Sequence, residues 1–259
     1  MRAVDVTTLK NVVVPAEHGA SVMFAESLFA GLMIAASSKG FLLALGWAAL
    51  FLMSNPLKIV IKDKLHCVFT PRTSMALWCS IIFGLLASVL FIATYIFSGP
   101  SFLLVLLGVI PLTILHLLAV VNAGRKELTA ELSGALSLGG IAASIVLAAG
   151  YSYPQALVLW LVLAVRAMTS VVYVRERLSQ SRAEINNFDV VNWTHIAGVT
   201  VLWALVIAHL VKPAIFLAGI LLIMRLWFMY RRIPIRAKDL GLQELILGVV
   251  YATLVILAF

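Results

Sequence analysis

Four polar side chains share one helical face in an otherwise apolar stretch: Arg166, Ser170, Tyr173 and Arg177. Their i, i+4, i+7, i+11 spacing aligns them along a single stripe. Arg166 lies about 12 Å inside the end of the stretch at 1.5 Å per residue. A lone arginine at such a depth in lipid costs roughly 3 kcal/mol, so it must face other protein and meet an anion. Glu26, another carboxylate or a ligand phosphate would serve, as structural ion pairing or as ligand binding. By contrast, Arg225 stands five residues from Tyr230 and can extend its head group to an interface.

A second group opens the first apolar run, at Val14-Pro15-Ala16-Glu17-His18-Gly19-Ala20. Glu17 and Pro15 suit a helix start. The pair Glu17 and His18 equally suits acid/base or metal-ligand chemistry. Glu26 lies about 13 Å further along such a helix, where a carboxylate needs a partner, a proton or water. These three are the candidate catalytic residues. Glu127 and Glu131 stand at i, i+4 in a polar connection, where they would hold a divalent cation between oxygens or pair with Arg125 and Lys126. Asn192 and His195 begin another run, where His195 can face the same site, whereas His116 and His209 stand in apolar surroundings and read as packing residues. Cys67 and Cys79 form neither a disulfide framework nor a metal motif. No phosphate-binding glycine loop, His-Glu-x-x-His or Gly-x-Ser-x-Gly motif is present.

The elements that must carry these groups follow from composition. Of 259 residues, 63% are apolar and 12% charged, against about 45–50% and 25% in soluble domains. That leaves too little polar surface for a water-soluble globule, and it predicts an all-α polytopic bundle forming one membrane domain. A span needs roughly 20 apolar residues. The expected spans are Gly19–Ala36, Phe41–Asn55, Met75–Phe97, Phe102–Val121, Leu132–Ala149, Pro154–Val174, Trp193–Val211, Pro213–Tyr230 and Leu242–Phe259, about nine in all. The second is short unless it continues through Ile61.

Lys and Arg divide unevenly across this layout. The N-terminal side and the connections after even-numbered spans hold Arg2, Lys10, Lys58, Lys62, Lys64, Arg72, Arg125, Lys126, Arg175, Arg177, Arg182, Arg231, Arg232, Arg236 and Lys238, whereas the other side holds Lys39 and Lys212. The positive-inside rule then puts the N-terminus in the cytoplasm and Phe259 across the inner membrane. The net charge of +8 is thus a matter of topology and does not point to nucleic acid. The longer polar connections all gather on that basic side, where they can build a shared mouth for a polar or anionic ligand.

Several segments together resemble the YwiC-like family of bacterial membrane proteins: Pro15-Ala16-Glu17-His18-Gly19-Ala20, Arg125-Lys126-Glu127 leading to Ser137-Leu138-Gly139-Gly140-Ile141-Ala142-Ala143, and Ser170-Val171-Val172-Tyr173-Val174-Arg175-Glu176-Arg177. More distantly, the layout is similar to the UbiA superfamily of intramembrane prenyltransferases. That resemblance implies nine helices, a cytoplasmic mouth and Asp-rich motifs holding Mg²⁺ against a prenyl diphosphate. The first motif would fall on Asn55, Ile59 and Asp63, with isoleucine at the central carboxylate position. The second is replaced by Tyr173-Val174-Arg175-Glu176-Arg177. Direct phosphate binding by Arg and Lys fits this pattern better than Mg²⁺-assisted ionisation.

The expectation is therefore an enzyme or binder acting on an isoprenoid-like or phosphorylated membrane lipid. Asn55, Arg125, Arg166, Ser170, Tyr173, Arg177 and His195 would bind the substrate, Glu17, His18 and Glu26 would act in catalysis, and Asp63, Glu127 and Glu131 would hold any metal. Alternatives are a small-solute transporter and a non-catalytic partner in a membrane complex.

Overall fold

Backbone N–H and C=O groups in hydrocarbon must bond within their own segment, so each apolar run becomes a helix. A computed structural model describes residues 11–13, 18–122, 128–181, 188–230 and 236–259. Among them are nine helices and no strand: α1 His18–Ile34, α2 Ser38–Leu65, α3 Pro71–Ser98, α4 Leu103–Asn122, α5 Leu128–Ala148, α6 Tyr153–Ser181, α7 Phe188–Ile207, α8 Ala214–Tyr230 and α9 Ala237–Ala258. Seven are long and apolar enough to cross a membrane, and α1 and α8 are shorter apolar helices. The fold is all-α, as expected.

Helix boundaries follow local chemistry. Ser37 starts α2 by accepting from Gly40 N at 3.0 Å. Pro56 lies inside α2, which runs on to Leu65, so the short second run does continue through its basic tail. Thr70 and Thr73 form a capping box at α3, with Pro71 at the first turn. At 28, 28 and 29 residues, α2, α3 and α6 span roughly 42 Å, more than the 30 Å or so of hydrocarbon.

Connections alternate between two faces. On the face where α1 begins, here the near face, Asn55 Nδ2 donates to Val12 O at 2.7 Å. At the same face Thr73 Oγ1 donates to Asp63 Oδ2 at 2.5 Å, and Arg175 pairs with Glu131 at 3.4 Å. On the far face, Tyr151 Oη donates to Ile34 O at 2.9 Å and Lys212 N donates to Ala258 O at 3.0 Å. Exposed aromatics gather toward both ends of the bundle: Phe69, Trp78, Trp193 and Trp227 near, and Phe41, Tyr95, Phe97 and Tyr153 far. Aromatic rings of this kind favour the headgroup level.

Helix α5 is the centre of the packing and touches α1, α2, α4 and α6. It is buried on all sides from Gly139 to Ala148, which its small residues permit. At Gly31 of α1 an added Cβ would stand 2.9 Å from Ala142 Cα, so glycine allows the two backbones to approach. Two indoles tie α5 to its neighbours. Trp47 Nε1 donates to Ser144 Oγ at 2.8 Å, and Trp160 Nε1 donates to Leu136 O at 2.9 Å. Helix α3 packs chiefly on α2 and presents Leu77, Ile82, Leu85, Val89, Ile92 and Ile96 outward, as a lipid-facing helix does. The chain closes on itself, because α9 packs against α1 as well as α8.

Candidate functional site

That closure assembles the polar centre. Glu244 on α9 meets Arg166 and Ser170, one turn apart on the antiparallel α6, while Gly248, one turn on from Glu244, faces Glu26 of α1. Arg166 Nη1 donates to Glu244 Oε2 at 3.2 Å and Nη2 to the Glu244 main-chain carbonyl at 3.1 Å. Ser170 Oγ donates to Glu244 Oε2 at 2.5 Å. From α8, Arg225 Nη2 donates to Glu244 Oε1 at 2.5 Å. From α1, Glu26 Oε1 stands 3.5 Å from Arg166 Nη2. Two arginines and two glutamates thus form a quartet of formal charge zero, each less than one-tenth exposed.

Aromatic residues bracket the quartet. The Arg225 guanidinium carbon lies 4.0 Å from the Tyr173 ring centroid, a cation–π arrangement. Tyr173 meets the His195 ring edge-on at 6.3 Å, and His195 Nδ1 bonds the Val191 carbonyl at 2.8 Å. About two helical turns beyond Glu244, Tyr251 Oη donates to Val162 O at 2.9 Å and locks α9 to α6.

Hydrogen-bonding capacity is unevenly used. Glu244 accepts from three side chains, whereas Glu26 Oε1 has no hydrogen-bond partner, and Arg166 Nε, Arg225 Nε, Arg225 Nη1 and His195 Nε2 also have none. Donors therefore exceed acceptors. Two gaps flank Arg166. One lies beside Glu26 and Ser27, under Ala135 and Gly139 of α5. The other lies beside Arg225 and Tyr251. Each has the room of roughly one water. A larger head group enters only if helices part.

The expected residues distribute as follows. Arg166, Ser170, Tyr173, Glu26 and His195 do come together. Arg177 is buried nearer the near face, where its Nη1 donates to Gln180 Oε1 at 2.8 Å. Asn55 lies at the near end of α2, apart from the gaps. His18 begins α1, though its side chain, with Glu17, Arg125 and Glu127, lies outside the described residues. Arg225 requires a correction: it does not reach for an interface but turns inward, 2% exposed, because Glu244 supplies the counter-charge. Glu244 escaped the sequence reading because it sits three residues into the last apolar run, where an acid reads as a helix-start residue. Its i+4 relation to Gly248 was the available signal.

Of the residues expected to hold a metal, Glu127 lies outside the described residues and the other two have partners of their own. The Asp63 carboxylate is engaged by Thr73, Asn55 turns its amide nitrogen to Val12 O, and Glu131 pairs with Arg175. Among the described residues, no three His, Cys, Asp or Glu side chains gather as a metal cluster. Arginine occupies the centre instead.

The bundle and its buried charges define a helical membrane protein. The YwiC-like protein family matches residues 14–146, just over half the chain, and the chain belongs to that family. The match covers α1 to α5, including Glu26, and stops before the other three members of the quartet. Neither a curated protein nor a solved structure matches the chain.

Proposed function

We propose that the protein crosses the inner membrane nine times, in a UbiA-like arrangement, with its near face in the cytoplasm. Its polar centre receives the anionic head group of an isoprenoid-like lipid, as a binder or as a transferase. The observation that carries this reading is the surplus of buried donors: Arg166 Nε, Arg225 Nε and Arg225 Nη1 have no acceptor, on two arginines that flank one gap with Leu221, Leu222, Leu247 and Tyr251. A buried donor left unmatched costs about 1–3 kcal/mol, and a phosphate oxygen would recover it. The lipid tail would lie along apolar helix faces. The positive-inside count supports the orientation.

A solute path to the far face finds less support. Beyond Tyr251, the interior is filled by Leu43, Ala148, Val255 and Ala258, with no row of polar groups among the described residues to guide a solute.

Gentle purification followed by mass spectrometry of bound lipids tests the reading. Enrichment of a phosphorylated isoprenoid over bulk phospholipid, reduced in Arg225→Gln that remains folded, is the expected result. Bulk phospholipid alone, unchanged by that substitution, would count against it. Solute flux in proteoliposomes without lipid enrichment would favour a transporter.

A further inference from the structure

The two carboxylates of the quartet are held very differently. Glu244 receives Ser170, Arg166 and Arg225, so its oxygens are committed to three donors. Glu26 has one cation 3.5 Å away, an Oε1 with no hydrogen bond and a water-sized gap beside it. It is the member that can accept a proton without breaking a hydrogen bond.

We propose that Glu26 is a proton-binding site, and that its protonation hands Arg166 over to an incoming anionic head group, so that proton and anion bind together. The charges balance. With both carboxylates ionised, the quartet sums to zero. A proton added to Glu26 as carboxylic acid leaves one positive charge, which is costly to bury. One negative charge at Arg166 and Arg225 returns the sum to zero. Each ligand therefore raises affinity for the other, and the effect is reciprocal. The coupling rests on the head-group reading, whereas the proton site does not.

The surroundings support this assignment. Facing Glu26 are Arg166 from α6, Glu244 and Tyr251 from α9, and Arg225 from α8. Tyr173 and His195 stack beyond Arg225. Helix α5 gives the gap only Ala135 and Gly139, and α2 gives it nothing. Gly248 completes the seat, since a Cβ there would collide with the Glu26 carboxyl group.

Infrared difference spectra of the full chain across a pH titration read the site without any ligand. A carboxylic C=O band that disappears in Glu26→Gln, shifts in Glu26→Asp and persists in Glu244→Gln is expected. A band unmoved by both Glu26 substitutions overturns the proposal. Calorimetry with farnesyl phosphate, in buffers of different protonation enthalpy, reads the coupling. Wild type should take up about one proton more per anion bound than Glu26→Gln, and inorganic phosphate serves as the tail-free arm. Binding with equal proton uptake in both proteins overturns the coupling. A Glu26 band without farnesyl phosphate binding supports the proton site and overturns the head-group reading. Equal affinity for inorganic phosphate assigns the anion site to a free phosphate.

Discussion

The Glu26 carboxylate occupies the space that a side chain at residue 248 would need. Helices α1 and α9 therefore meet through a pocket one residue wide, in which a missing side chain on one helix makes room for a charge on the other.

Substituting Gly248→Ala should expel Glu26 from its seat and lower the thermal midpoint of the detergent-purified protein. Overpacking of this kind costs about 1–3 kcal/mol. Adding Glu26→Ala to Gly248→Ala should recover part of the loss, because the collision and the displaced carboxylate are then both gone. Equal midpoints for wild type and Gly248→Ala would contradict the packing.

Removal of the Glu244 carboxylate strands two guanidinium groups. Glu244→Ala should cost about 3–5 kcal/mol, the range for breaking a buried pair, and should reduce the folded yield on size-exclusion chromatography. Glu244→Leu combined with Arg225→Met should fold better than Glu244→Leu alone, since one stranded charge is then gone.

Trp47 and Ser144 provide a milder probe. Trp47→Phe keeps most of the ring but loses the 2.8 Å hydrogen bond. Between membrane helices such a bond contributes about 0.6 kcal/mol and at most about 1.7. A small drop in thermal midpoint is expected, and Ser144→Ala added to Trp47→Phe should cost little more.

Topology can be read by labelling. Cys67 is exposed in the near-face turn between α2 and α3, and Tyr153 begins α6 at the far face. With Cys79 changed to Ser, a membrane-impermeant maleimide should reach Cys67 only in inverted vesicles. In a Cys67→Ser background, Tyr153→Cys should react only in intact cells. Labelling of both positions from one side would refute the nine-span layout.

Most of the helix layout was legible in the sequence, because hydropathy and turn residues measure the same thing the membrane selects. Even the tail of α2 could be foreseen from the apolar residues between its lysines. The centre was only half legible. Arg166 stands deep enough to demand a partner, and its i+4 and i+7 neighbours were visible on the same stripe. Arg225 and Glu244 stand close to the ends of their runs, where a charged residue is cheap to solvate and hydropathy carries no penalty. Only the tertiary meeting of α8 with α9 makes them interior. Depth in the apolar runs already offered Glu26 as one partner for Arg166, 140 positions away, although spacing alone could not single it out.

The meeting of the first and last helices has a consequence for biogenesis. Glu26 leaves the ribosome 140 residues before Arg166, a delay of roughly 7–28 s at 5–20 residues per second, and Glu244 emerges last of all. A nascent chain arrested after α5 would hold an acid in the bilayer with no cation yet made to meet it. Quality control at the insertion machinery thus has a natural window, because the lone acid gains an internal partner only when Arg166 emerges.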